Sequence, residues 1–471
     1  VAQLLDMPLP ELQKLLSKDT TFVWVKRQVD QSIADQIKAL KVAGIHFRED
    51  YKRHYPEAEA VAHIVGFTGV DGKGQEGIEL AMEASLAGSP GSRKVIKDRL
   101  GRVVEDVRDV EPPVDGKDVY LAIDSRIQFF AYNKLKEAVN KHKAKAGSLV
   151  FIDTQTGEVV ALANYPSFNP SQRGRLSGEQ LRNRALTDSF EPGSTMKPIV
   201  MSRALDRGLV TPETRIDTGS GRLTMGKHTI SDTHPYGVMS VVQVIQKSSN
   251  VGTAKVALQL SAQDMWETFA QLGFGQKPTV PFPGAVSGRL RPYAAWKPIE
   301  QVTMSYGYGL SVSLFQLAHA YTAFARDGEV IPVSLFKATA PVQGARVFTP
   351  ANVKAMREML RLASGPGGTS PLAQTVGYSV GGKTGTARKQ EGKGYAAGKY
   401  RGFYVGISPI EQPRLVGAVI IDEPSQGGYY GGIVAAPVFS ETVQHTLRMM
   451  GVEPDVTVQP QIVAQPVEEP V

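Results

Sequence analysis

Three short motifs, far apart in the chain, carry side chains suited to acyl transfer. Ser194-x-x-Lys197 lies in FEPGSTMKPIV, Ser248-Ser249-Asn250 in KSSNVG, and Lys383-Thr384-Gly385-Thr386 in GGKTGTARK. Each alone has an ordinary structural explanation. A serine after Pro192-Gly193 suits a helix N-cap, Ser-Ser-Asn suits a cap or turn, and Lys-Thr-Gly suits an exposed strand edge. Attack on an amide needs more than that: a nucleophile, a base, an acid for the leaving amine and donors for the oxyanion. The three motifs together hold a candidate for each.

Ser194 is the candidate nucleophile. Residues three apart share a helix face, so Lys197 falls within hydrogen-bond reach of its hydroxyl and is the candidate base. A free lysine titrates near pH ~10.4. It must be held partly neutral, and both burial and a second cation push that way; Lys383 is the candidate cation. Ser248 can pass a proton toward the departing nitrogen. The Asn250 amide can donate to and accept from a peptide-like substrate. The Lys383–Thr386 segment offers a strand edge to which a peptide can add as a further strand. Lys383 and the Thr384 and Thr386 hydroxyls favour a carboxylate end group. The backbone N–H groups of Ser194 and Thr386 are the expected oxyanion donors, the first at a helix N-terminus that favours negative charge.

The elements that must position these residues read as follows. VYLAID (119–124) has a strand pattern, and a helix is expected from Ser125 to about His142. Residues 147–165 read as a β-hairpin, with two β-branched runs around Thr156-Gly157. From Ser194 to about Ala325 the pattern is mostly helical, with capping boxes at Ser240-x-x-Gln243 and Ser313-x-x-Gln316 and a stop at Gly328. Strand patterns return at 378–389, 400–408 and 414–422, and Gly381-Gly382 marks a close backbone approach or a bulge. A helix is expected over about 436–450. The Gly- and Ser-rich loop Ser364–Ser370 is expected to move. Pro112-Pro113 and Asp115-Gly116 place a domain boundary near residue 118. Late strands joined by short connections point to an antiparallel sheet flanked by helices, an α+β fold.

Bulk properties exclude several function classes. The chain has no cysteine, which removes disulfides, thiolate catalysis and cysteine zinc sites. Its eight histidines are scattered without H-E-x-x-H or paired spacing, so no metal is expected. The net charge of +7 comes without a dense Lys/Arg block, which argues against nucleic acid. The longest apolar run, LVGAVII (415–421), is strand-sized and far short of the ~20 residues of a membrane span.

The three motifs in this order form a set known in penicillin-binding proteins and serine β-lactamases. The chain resembles the serine penicillin-binding transpeptidases of bacterial cell-wall synthesis. FEPGSTMKP, KSSNVG, SYGYGLSVS, GGKTGTARK and DEPSQGGYYGGIVAAPVF are similar to the division-specific class B branch of Gram-negative bacteria. YPEAEAVAHIVGFTGVDGKGQEGIEL and KVIKDRLGRVVED are similar to that branch's N-terminal pedestal. The resemblance implies a pedestal over 1–118, a serine transpeptidase/β-lactamase-like domain over 119–450, and a disordered tail over 451–471.

It further implies a D,D-transpeptidase that cross-links peptidoglycan stem peptides ending in D-Ala-D-Ala and is trapped by β-lactam antibiotics. Arg388, with Thr384, Gly385 and Thr386, would hold the ligand carboxylate. Tyr306, Tyr308, Tyr429 and Tyr430 would wall the pocket, where core packing is their ordinary alternative. No metal or organic cofactor is implied. The pedestal is too short for a glycosyltransferase domain, so partners would include a membrane glycosyltransferase and other division-complex proteins, and not nucleic acid. The implied location is the periplasmic face of the inner membrane, with a transmembrane anchor and the pedestal's start lying outside these residues. A serine β-lactamase and a D,D-carboxypeptidase share the motifs, but no E-x-x-L-N follows Ser248-Ser249-Asn250 as a class A lactamase would have.

Overall fold

The structure, a computed structural model, describes residues 1–99, 103–172, 176–392 and 394–457. These form two compact units. The first comprises Val1–Ala58 and Val65–Asp118 with Pro170–Gln172. It holds helices Leu9–Leu16 and Gln31–Ala39 and an antiparallel ribbon of Ser92–Lys97 against Val103–Glu111. The Arg53 guanidinium grips Glu79 through two contacts, at 2.7 and 3.0 Å.

The second unit takes Val119–Asn169, the described residues from 176 onward, and also Glu59–Ile64. The division near 118 is thus not a single cut. The Gln128 amide donates to the Ala60 carbonyl at 2.6 Å, the Tyr132 hydroxyl donates to Glu59 at 3.0 Å, and His63 Nε2 lies 2.7 Å from the Gln180 carbonyl.

Within this unit α1 (Ser125–Lys141) begins at Asp124, whose carboxylate accepts from the N–H groups of Arg126 and Ile127. The hairpin β1 (Ala146–Asp153) and β2 (Val159–Tyr165) follows. Then come α2 (Lys197–Asp206), α3 (Val241–Lys247), α4 (Asn250–Ala257), α5 (Leu314–Ala325) and α6 (Pro350–Ala363). Both expected capping boxes are present, at the starts of α3 and α5. The chain closes with β3 (Gly381–Glu391), β4 (Gly394–Ser408), β5 (Leu415–Asp422) and α7 (Ala436–Met449).

The five strands make one antiparallel sheet in the order β3–β4–β5–β1–β2. Helices α1 and α7 pack on the sheet in one core, and α5 also lies against β5, β1 and β4. With helices over the sheet, β1 is buried at every residue, which is why AGSLVFID lacks a polar alternation. Leu149 and Phe151 of β1 join Leu415, Val419 and Ile421 of β5 in the core shared with Phe439, Val443 and Leu447 of α7. Gly417 interrupts that series because a Cβ there would lie 2.3 Å from the Phe151 ring, which stacks on Phe439. Gly417→Ala is expected to destabilise the protein by about 1–3 kcal/mol, read as a lower midpoint in urea unfolding.

Two expectations change and a third is resolved. The stretch 194–325 also holds two short antiparallel pairs, Arg215–Asp217 with Val238–Ser240 and Arg222–Met225 with His228–Ser231. Their sequence is rich in threonine and glycine turn signals and lacks a helical apolar period. Gly381-Gly382 is a close approach and not a bulge: a Cβ on Gly382 would lie 2.3 Å from the Tyr404 hydroxyl, while the register shift falls between Arg388 and Gln390. The tail does not lose its structure at 451. The Tyr378 hydroxyl donates to the Val452 carbonyl at 2.8 Å, and Asp455 accepts from the Ser379 N–H at 2.7 Å. The expected disorder beyond 457 lies outside the described residues.

Candidate active site

Ser194 sits in a 3₁₀ turn, Gly193–Met196, that runs directly into α2. In this tighter turn residues three apart eclipse, so Ser194 and Lys197 still share a side. The turn is held from both flanks. The Gly193 N–H donates to the Gly307 carbonyl at 3.1 Å, and the buried Tyr321 hydroxyl of α5 donates to the Thr195 carbonyl at 2.8 Å. The Ser194 side chain is half-buried and makes no hydrogen bond among the described residues.

Lys197 is 0% exposed. Its amine donates to the Ser248 carbonyl at 2.6 Å and the Ser248 hydroxyl at 3.0 Å, and not to Ser194 as the spacing alone suggests. The first two motifs therefore meet through Lys197 and Ser248. Burial holds the Lys197 pKa well below the ordinary lysine value, the charge of Lys383 lowers it further, and Asp232 opposes them.

Ser248 ends α3 in the left-handed region, at φ 60°. For a residue with a Cβ this costs about 1–2 kcal/mol, a strain that turns the chain sharply from α3 into α4. Ser249 caps α4: its hydroxyl accepts from the Gly252 N–H at 2.9 Å and donates to Asp232 at 2.6 Å. Asn250 is less free than expected, since one amide hydrogen goes to the Ser231 carbonyl at 3.0 Å. Its second amide hydrogen and its carbonyl oxygen make no hydrogen bond among the described residues.

The third motif lies on β3, an edge strand, with Lys383 opposite Val405, Thr384 opposite Tyr404 and Thr386 opposite Gly402. Lys383 is 0% exposed, and its amine lies 3.5 Å from the Thr369 hydroxyl. Burial lowers its pKa to about 7. The Thr384 hydroxyl donates to Thr369 at 3.0 Å, Gly385 is buried opposite Phe403, and the Thr386 hydroxyl accepts from the Gly431 N–H at 3.2 Å. Thr384, Thr386 and Arg388 stand two apart and so share a face of the strand; Arg388 is exposed.

The tyrosines divide. Tyr306 packs against the cluster of Ile230, Val251, Ala254 and Val302, and burial pushes its hydroxyl up to about 12. Tyr308 lies edge-on to it at 5.9 Å, and burial, helped by Glu191 and opposed by Arg388, raises its pKa. Tyr429 and Tyr430 lie 4.5 Å apart, and Tyr430 is 56% exposed. Tyr400 stacks on Tyr429 at 4.0 Å and pairs in register with Arg388, so an aromatic stack stands beside the guanidinium.

Sequence reasoning missed four contributors. Asp232 binds the second motif. Thr369 binds the third, and its loop makes two hydrogen bonds to neighbouring elements: the Lys247 amine donates to the Gly367 carbonyl at 2.7 Å and the Ser364 and Tyr404 hydroxyls meet at 2.7 Å. Buried Glu191, three residues before Ser194, accepts from the Gly309 N–H at 3.0 Å and the Tyr395 hydroxyl at 2.9 Å. Tyr400 is the fourth. Of these, only Glu191 adjoins a motif in sequence. Among the described residues no three His, Asp or Glu groups are arranged to hold a metal ion, and no helix is long and apolar enough to cross a membrane.

Known proteins are similar to this chain. The penicillin-binding protein transpeptidase domain family matches residues 147–444, and the penicillin-binding protein dimerisation domain matches residues 1–121. A probable peptidoglycan D,D-transpeptidase PenA of Neisseria meningitidis is 43% identical over 457 residues, 96% of this chain and 78% of that protein. The peptidoglycan D,D-transpeptidase FtsI of Escherichia coli K12 is 40% identical over 457 residues, 97% of this chain and 77% of its own length. Among solved structures, the transpeptidase domain of Burkholderia pseudomallei penicillin-binding protein 3 superposes with a TM-score of 0.67 at 50% identity, covering 72% of this chain and 98% of that one. With its motifs converging in one sheet-and-helix unit, this chain belongs to the penicillin-binding protein transpeptidase family.

Proposed function

We propose that this chain is a peptidoglycan D,D-transpeptidase of septal cell-wall synthesis, acting through a serine acyl-enzyme. The observation that carries the reading is the buried Lys197 amine, held on Ser248 on the Ser194 side of the site with a second buried lysine, Lys383, acting on its charge. A neutral amine there can take the Ser194 proton as the oxygen attacks the penultimate D-Ala carbonyl of a stem peptide. Negative charge collects on that carbonyl oxygen, for which the Ser194 and Thr386 N–H groups are the candidate donors. The C–N bond then breaks. The proton moves through Ser248 to the departing nitrogen, and D-Ala leaves. The amine of a second stem attacks the ester, restores the Ser194 hydroxyl and completes the cross-link.

The donor peptide lies along the free edge of β3 as an added strand. Its terminal carboxylate faces Thr384, Thr386 and Arg388, and Asn250 meets its backbone. The aromatic stack of Tyr400, Tyr429 and Tyr430 and the Tyr306–Tyr308 pair flank it. β-Lactams acylate Ser194 in place of the stem. The domain division of the proposal is a pedestal over 1–118 and a transpeptidase domain over 119–450. Its setting is the periplasmic face of the inner membrane, beside a glycosyltransferase and other division proteins.

Incubation with benzylpenicillin should add the mass of one drug molecule and leave an adduct stable for hours. With a D-Ala-D-Ala peptide and a D-amino acid acceptor, D-Ala release should match formation of the transferred product. Rapid drug turnover would make the protein a β-lactamase, and release of D-Ala to water alone would make it a carboxypeptidase.

A further inference from the structure

Asp232 lies in none of the three motifs. It follows the short strand His228–Ser231, in a segment (SDTHPYG) that reads only as a turn. Yet its carboxylate takes three hydrogen bonds from the second motif and its neighbour. One oxygen accepts from the Ser249 hydroxyl at 2.6 Å; the other accepts from the backbone N–H groups of Asn250 at 2.5 Å and Val251 at 3.0 Å. The adjacent Ser231 carbonyl holds the Asn250 side chain at 3.0 Å. Two N–H groups at the start of α4 thus point at a carboxylate, where the helix field favours negative charge. The same start follows Ser248, whose strained left-handed backbone sets where its hydroxyl meets Lys197.

We propose that Asp232 is a positioning residue for acylation: its carboxylate fixes the Ser248–Asn250 turn, and its negative charge counterweighs Lys383 across the site. The proposal rests on the transpeptidase reading above. The charged groups acting on Lys197 are Lys383, on β3, and Asp232, on the segment before α3, and they act in opposite senses. The Ser248 hydroxyl and carbonyl complete its hydrogen bonding. Asp232 bonds to residues beside Ser248 and not to the lysine itself, so it can steer the amine's proton affinity without competing for the amine. Burial and Lys383 push Lys197 toward the neutral base; Asp232 limits how far.

The sign follows. Acylation needs neutral Lys197, so its rate falls on the acid side as the amine takes up a proton. Removing the Asp232 charge removes a contribution that favours the protonated amine, and the acid limb moves to lower pH. Asp232→Asn keeps the shape and can still accept from the two backbone N–H groups, but presents no charge and turns its amide toward Ser249. Asp232→Glu keeps the charge and moves the carboxylate.

The test is the pH profile of benzylpenicillin acylation, with the acylation rate constant separated from non-covalent affinity and thermal melts run alongside. Asp232→Asn should shift the acid limb down by about half a pH unit or more. Its plateau rate constant should fall roughly 10–100-fold while non-covalent affinity stays within about twofold, the pattern of a misplaced reacting group. Asp232→Glu should lose rate similarly and keep the wild-type limb. A plain helix cap would lower the melting temperature and leave the limb unmoved, and that result in folded Asp232→Asn overturns the proposal. Should Asp232→Asn fail to fold, an Asp232→Glu limb displaced from wild type would overturn it and an unmoved one with a reduced plateau would support it. If wild-type protein is not acylated, the transpeptidase reading falls and this inference with it; if wild type is acylated and the Asp232→Asn profile is unchanged, this inference falls alone.

Discussion

Lys383→Met protein should be more stable than wild type and slow to react with β-lactams. Lys383 is wholly buried, and among the described residues its amine makes one hydrogen bond, to the Thr369 hydroxyl at 3.5 Å. Burial holds its pKa at about 7, whereas an unfolded lysine titrates near ~10.4. Between those values the folded chain binds fewer protons than the unfolded one, so wild-type stability rises with pH through that window and is lost as pH falls toward 7. At pH 7 this lysine costs roughly 4 kcal/mol on that account. Methionine fills similar space without an amine to desolvate. Part of the gain is offset where Thr369 loses a donor, leaving an expected net of about 1–4 kcal/mol. The melting temperature should rise by several degrees, and the slope of stability between pH 7 and 10 should flatten. Acylation should fall roughly 100-fold, because Lys197 loses the nearby cation that favours its neutral form. A variant both less stable than wild type and equally reactive would remove Lys383 from the site.

Ser194→Ala protein should gain no drug mass at any time, with loss of acylation of at least ~1,000-fold. The serine hydroxyl makes no hydrogen bond among the described residues, and its side chain is half-buried. Replacing it removes no partner from the fold, so stability should stay within about 0.5 kcal/mol of wild type. Non-covalent binding should persist, because the residues assigned to the carboxylate are untouched. Intact-mass measurement together with displacement of a fluorescent penicillin separates the two effects. Equal adduct formation in this variant would place the nucleophile elsewhere.

What could be read from the chain, and what could not, follows from the range of the interactions. α1, the β1–β2 hairpin and both capping boxes are local patterns, and they lie close to where the residues alone place them. The three motifs were visible because Ser194–Lys197, Ser248–Asn250 and Lys383–Thr386 are each contiguous. Their meeting was not, since Lys197 bonds across 51 residues to Ser248. Asp232 and Thr369 were invisible for the same reason. Each is an ordinary polar residue in a turn-rich stretch, and its meaning comes only from which motif lies beside it in space. The two short strand pairs within 215–240 were lost to a helix reading because strands of three and four residues carry too few alternations to show a period.

The order of the sheet joins distant parts of the chain. β5, its middle strand, is flanked by β4 from just upstream and by β1 from near the start of the unit. β1 exists early, but all the intervening helices must be synthesised before β5 arrives to pair with it. Such long-range pairing makes for slow folding, and until it forms the apolar β1–β2 hairpin has a bare edge open to self-association. A chain halted before residue 415 would hold Ser194, Ser248 and both hairpins, β1–β2 and β3–β4, but not the strand that joins them into one sheet.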